Sequence, residues 1–137
     1  MEPQEDVIVD ISKAREKYFG CSGKMLLPCP ATVKALVKKI PKNKLVTTEL
    51  LRRELADQFN VEVTCPVATR KALQAIAKDS SKVAYWQVVK KNGELIAYFP
   101  GGMADHATRL RKEGFTIDTQ GKAPKVQDFK ASLVQFD

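Results

Sequence analysis

Histidine and tryptophan each occur once in this chain of 137 residues, and cysteine only three times. Those scarcities exclude more than the rest of the composition suggests. Any histidine-dependent hydrolysis would rest on His106 alone, whose neighbours (Met103, Ala104, Asp105, Ala107) read as an exposed turn of helix. Cys21, Cys29 and Cys65 lie eight and thirty-six residues apart, which fits neither a paired disulfide framework nor a zinc ligand set. No metal, cofactor or catalytic residue is expected on this basis. No apolar run approaches the roughly 18 residues of a membrane span. The first residues carry Glu2, Glu5 and Asp6, the wrong charge for a targeting signal, so a cytoplasmic protein is expected. Internal repeats and low-complexity tracts are missing too, and the length suits one domain with its own core.

Positive charge, by contrast, is abundant and unevenly placed. The net charge is +7, and the stretch from Ala31 to Lys91 alone holds thirteen Lys and Arg against five Asp and Glu. The remainder of the chain is close to neutral. A domain-sized basic surface is the footprint of a polyanionic partner, nucleic acid first.

The apolar spacing within that basic stretch predicts three helices. Val33, Leu36, Val37 and Ile40 repeat at helical intervals between Ala31 and Pro41, with Lys34, Lys38 and Lys39 off the stripe. A second helix starts at Thr47 or Thr48 with Glu49 in its first turn, and buries Leu51, Leu55 and Phe59. A third is capped by Thr64 or Cys65 and opens on Pro66, where proline is favoured. It turns Val67, Leu73, Ile76 and Ala77 inward and leaves Arg70, Lys71, Gln74 and Lys78 outside. A cap-region thiol such as Cys65 can be acidified by a helix N-terminus, though a structural role is the simpler reading.

Outside the basic stretch, Asp6 to Tyr18 has helical spacing, although Val7-Ile8-Val9 also suits a strand. Met25 to Pro30 reads as extended. From Val83 to Gly114 the pattern predicts a strand (Val83–Lys90), a turn at Asn92-Gly93, a second strand (Glu94–Phe99), a Pro100-Gly101-Gly102 break, and a helix capped by Gly114. Phe115 to Ile117 reads as a short strand, 118–126 as loose, and Phe129 to Phe136 as a last strand or helix. A hairpin after short helices indicates a mainly α protein with a small β wing, a winged helix-turn-helix whose third helix reads a groove.

Several segments carry a resemblance. Lys39-Ile40-Pro41-Lys42-Asn43-Lys44-Leu45-Val46-Thr47-Thr48 resembles the IPxGKVxTY segment of the O6-alkylguanine-DNA alkyltransferases. Tyr85-Trp86-Gln87-Val88-Val89, Asn92-Gly93, Tyr98, Gly101-Gly102, Leu110 and Glu113-Gly114 resemble that family's PCHRVV…G…YSGG…LL..EG region in order and approximate spacing. The likeness spans roughly Met25 to Ile117. It implies an alkyltransferase C-terminal-domain-like winged helix at 25–118, flanked by an N-terminal helical extension (1–24) and a C-terminal tail (119–137). The nearest pattern is that of the family's cysteine-less members.

The departures from the family define the expected function. Its acceptor cysteine is activated by a histidine and a glutamate, because only a thiolate attacks the alkyl carbon. Here Tyr85 or Trp86, according to a one-residue gap, stands at that position, and Glu113 matches the glutamate with nothing to relay. Pro28-Cys29-Pro30 lacks the His and Arg that follow the family cysteine. The resemblance therefore implies a non-catalytic binder of double-stranded, alkylated DNA, monomeric, acting with a repair-protein partner. Arg70, Lys71 and Gln74 would face the groove, with Lys42, Lys44, Lys90 and Lys91 on phosphates. Tyr85, Trp86, Tyr98 and Val67 would form a base pocket. Thr48 stands where the family has its flipping tyrosine, and Val67 near its arginine finger. Those two replacements also motivate a rival reading, a winged-helix module for a protein or small ligand.

Overall fold

A computed structural model describes residues 5–79 and 83–136. The outer ends of the expected extension and tail, residues 1–4 and 137, lie outside them. Five helices carry the fold: α1 (Lys13–Phe19), α2 (Pro30–Lys38), α3 (Thr48–Gln58), α4 (Pro66–Lys78) and α5 (Gly102–Lys112). Short strands join them: β1 (Val7–Asp10), β2 (Lys24–Leu27), β3 (Val46–Thr47), β4 (Val63–Thr64), β5 (Val88–Val89), β6 (Ile117–Asp118) and β7 (Lys125–Val126).

The apolar stripes meet as their spacing requires. Val33, Leu36, Val37 and Ile40 from α2 and its end pack with Leu51 and Leu55 of α3 and with Ala72, Leu73 and Ile76 of α4. The Thr47 hydroxyl caps α3 by accepting from the Leu50 amide at 3.0 Å, which leaves Thr48 free of that duty. Asp6 holds the start of α2, accepting from the Cys29 amide at 2.9 Å and the Thr32 hydroxyl at 2.7 Å. α4 begins on Cys65 and Pro66, a start that needs no donor from the proline.

Three sequence expectations are corrected. The first helix does not run from Asp6: residues Val7–Asp10 form β1, antiparallel to β2, and the helix starts at Lys13. β2 pairs in parallel with β4, giving a sheet of order β1-β2-β4.

The hairpin is likewise absent. Gly93 does make its turn, with φ +81, and the Lys90 amide donates to the Glu94 carbonyl at 2.9 Å. A side chain at Gly93 would be doubly unwelcome, since a Cβ there would lie 2.5 Å from the Phe129 ring. On either side of that turn, however, the backbone is claimed from afar. Tyr85–Gln87 is a single 3-10 turn, and Val88–Val89 pairs in parallel with Val46–Thr47. The Leu95 amide goes to the Pro124 carbonyl and the Ile96 amide to the His106 ring.

The third correction concerns the loose stretch. Lys125–Val126 pairs with Ile117–Asp118. Beyond it, Phe129–Ser132 is a 3-10 turn and Leu133 bridges in parallel to Leu45, through bonds from Leu45 N–H to Ser132 C=O (2.7 Å) and Val134 N–H to Leu45 C=O (2.8 Å). No helix among the described residues is long and apolar enough to cross a membrane.

Candidate nucleic-acid interface

Two hollows contain half of the expected site residues, and they differ in chemistry. The first lies between α3 and α4. Thr48 and Arg52, one turn apart on α3, face Pro66, Thr69, Arg70 and Leu73, which share one face of α4. Lys90, just past β5, and Tyr98 complete a pocket of about 160 Å³. Arg52, Arg70 and Lys90 take part in no ion pair among the described residues; Glu49 instead holds Arg53 (3.9 Å) and Lys91 (3.6 Å). Burial pushes the Tyr98 phenol up to about 12, against the pull of Arg70 and Arg52, so it stays an O–H donor at neutral pH.

The second hollow, of about 370 Å³, lies behind Trp86 and is lined by Val37, Lys38, Ile40, Lys42, Val83, Ala84, Gln87 and Glu113. The Trp86 indole N–H donates to the Glu113 carboxylate. Burial raises the Glu113 carboxyl above its ordinary value, and the Lys42 charge partly opposes that. The Gln87 amide nitrogen donates to the Pro41 and Lys44 carbonyls at 2.7 and 2.9 Å, fixing the basic turn beside this hollow.

An aromatic ladder connects the two. Tyr98 meets Phe99 edge-to-face with centroids 5.3 Å apart, Phe99 meets Tyr85 at 4.9 Å, and Tyr85 meets Trp86 at 5.2 Å. The Arg109 guanidinium, held by Asp105, lies over both Tyr85 (5.5 Å) and Trp86 (5.1 Å).

His106 underpins the ladder. It is 1% exposed, not the surface residue its neighbours suggested. Its Nδ1 accepts from the Ile96 amide at 3.0 Å, so Nε2 carries the proton and donates to the Trp86 carbonyl at 2.8 Å. Burial lowers its pKa, keeping the ring neutral.

The expected residues are thus divided. Thr48, Arg70, Lys90 and Tyr98 converge on the first pocket; Trp86 and Lys42 line the second. Tyr85 is buried between them, and Val67 is not buried as its spacing suggested: it is 44% exposed at the head of α4, outside both linings. Lys71 is exposed and Gln74 half-buried on α4 without lining the pocket, and Lys44 is exposed with its carbonyl committed to Gln87. Lys91 is turned to Glu49. None of the three cysteines lines either hollow; Cys29 and Cys65 are buried at helix starts. Sequence reasoning missed Arg52. Its signal was available, since it lies four residues after Thr48 on the same helix.

No protein-family model matches the chain, and no curated protein is similar to it in sequence. Two crystal structures are similar in fold, both of the Schizosaccharomyces pombe alkyltransferase-like protein Atl1: one in complex with damaged DNA containing O6-carboxymethylguanine, the other in complex with DNA. Each likeness has 20% identity and a TM-score of 0.57, and covers 77% of this chain and 94% of that one. The chain has an alkyltransferase-like fold, mainly α with small sheets.

Proposed function

We propose that this protein binds double-stranded DNA through α4 and the pocket beside it, and recognises alkylated guanine without accepting the alkyl group. The observation that carries this reading is the convergence of Arg52, Arg70 and Lys90 on one pocket with no carboxylate among its described lining residues. Cations of this kind supply the sequence-independent part of DNA affinity, while hydroxyl and aromatic groups such as Thr48 and Tyr98 can address a base. The likeness to Atl1 bound to damaged DNA supports the same reading. In this proposal α3 and α4 act as the helix-turn-helix pair, and the turn at Lys90 to Glu94 takes the place of a wing.

The hydrogen bond from Trp86 to Glu113 supports an ungapped register in which Trp86 replaces the family histidine and Tyr85 the acceptor cysteine. A buried phenol ring has no thiolate to offer, so the alkyl group stays on the DNA. Repair would then fall to a partner protein, with this chain acting as a monomer in the cytoplasm.

Fluorescence anisotropy of a labelled duplex, with and without O6-methylguanine and at two salt concentrations, tests the reading. Binding should weaken steeply with salt, tighten with the lesion, and leave the intact mass of the protein unchanged. Binding indifferent to salt, or a mass gain of one alkyl group, would refute it. No binding at low salt would favour a protein or small-molecule partner.

A further inference from the structure

Among four hollows of this structure, the charge of the walls singles one out. Those around Phe129 include Asp128 or Glu94 in their walls, and the hollow behind Trp86 includes Glu113. Of these four, the pocket between α3 and α4 alone has cations and no carboxylate among its described lining residues. It is also the smallest of the four, at about 160 Å³, well under the roughly 300–1,000 Å³ of sites that enclose drug-sized ligands.

Beside the apolar Pro66 and Leu73, its walls carry three cations and the hydroxyls of Thr48, Thr69 and Tyr98. Arg52, Arg70 and Lys90 bring positive charge, and the Thr48 and Tyr98 hydroxyls are poised to donate. Tyr98 cannot serve as the internal counter-ion, since its phenol stays protonated at neutral pH. The Thr69 hydroxyl donates to the Cys65 carbonyl at 2.8 Å, so its hydrogen is not available to a ligand. Glu49, one helical turn before Arg52, is engaged with Arg53 and Lys91. Three converging cations repel one another until an anion arrives. A planar guanidinium matches a carboxylate or phosphate through paired hydrogen bonds, whereas a methyl group gains nothing from it.

We infer that this pocket selects a small oxyanion, carboxylate or phosphate, borne by the nucleic acid, over an uncharged substituent of similar size. The inference rests on the reading that DNA enters at α4, and it names what that site adds to lesion recognition: a preference for charge on the modification over a neutral group.

Four duplexes of one sequence test it: unmodified with a 5′-hydroxyl, O6-methylguanine, O6-carboxymethylguanine, and unmodified with a 5′-phosphate. At least one anionic duplex should bind about tenfold more tightly than its neutral counterpart, and the arm that gains identifies the source of the oxyanion. Arg70→Gln and Lys90→Gln should each reduce that ratio to within about twofold, their folding checked by thermal melting. Lys71→Gln, outside the pocket, should weaken all four duplexes alike and preserve the ratio. Equal affinity for neutral and anionic duplexes would overturn the inference while leaving the DNA-binding reading intact. If no duplex binds at low salt, that reading fails, and titration with inorganic phosphate decides the pocket by itself. Saturable phosphate binding abolished by Arg70→Gln would uphold the oxyanion site, and its absence would overturn it.

Discussion

The two hollows on either side of the aromatic ladder use charge in opposite ways. Beside α4, Arg52, Arg70 and Lys90 have no acidic partner among the described residues and line one pocket. Behind Trp86, the acid is present and engaged: Glu113 accepts from the indole, with Lys42 close enough to stabilise its charge. A cation without a protein counterpart is available to an anion brought by a ligand, whereas an internally satisfied hydrogen bond serves to hold side chains in place. The difference places the conspicuous tryptophan in an internally satisfied network, and it is the less conspicuous arginines on which the proposed DNA-binding surface rests.

Substitutions can break that contrast, and the largest effect should come from the ladder itself. Tyr85 is 8% exposed and touches Phe99, Trp86 and Arg109. Replacing it with alanine should cost about 3–5 kcal/mol of stability, as removal of a buried ring usually does. Urea titration would read this. A loss below about 1 kcal/mol, a value small for any buried ring, would show that the ladder is not the divider between the two sides.

His106→Gln should cost about 2 kcal/mol, because one of two buried backbone groups loses its partner. It should also alter the pH profile. The folded ring has a pKa below 6.5 while the unfolded ring titrates near 6.5, so the unfolded state binds the extra proton first. Stability of the parent protein should therefore fall as pH drops below about 6.5, toward the folded value, and the variant should lose that component of the fall. Parallel profiles would mean that His106 is not held neutral.

Arg70→Gln sharpens the contrast from the other side. It should leave the melting temperature within a degree or two of the parent, lower DNA affinity several-fold and reduce the slope of log K against log salt by about 1. Glu113→Gln should do least: the new amide oxygen still accepts from Trp86, and DNA affinity should not change. Its signature is optical. Trp86 emission in the parent should titrate with a midpoint above 4.5, where Glu113 takes up its proton, and the variant should show no such step.

How much of this was legible beforehand depended on the range of the interactions. The helices α2, α3 and α4 were readable because their stripes repeat locally and their caps are adjacent: Thr47, Pro66 and the leucines of α3 all announce themselves within one or two turns. The Asn92-Gly93 turn was legible for the same reason. The hairpin built on it was not, because the donors on either side are taken by Val46, Pro124 and His106. No local pattern records such long-range partners. His106 was misjudged for a related reason: its helix neighbours include polar residues, but its ring points to Ile96 and Trp86 across the fold. Val67 shows the converse, an apolar residue left outside because Ala68, Ala72 and Leu73 already fill the inward face of α4. Arg70, Lys90, Thr48 and Tyr98 could be suspected one by one; that they meet, and that Trp86 stands apart from them, required three dimensions.

The bridge between Leu45 and Leu133 has a consequence for the order of assembly. β3 leads directly into Thr47 and Thr48, and hence into the wall of the basic pocket, yet its neighbours are Val88–Val89 on one side and Ser132–Val134 on the other. During synthesis α2, α3 and α4 can fold as they emerge, but this seam must wait for residues made much later. Until then one wall of the pocket is unanchored, so under the proposed reading the pairing of residues 132–134 with Leu45 sets when the protein can first engage DNA.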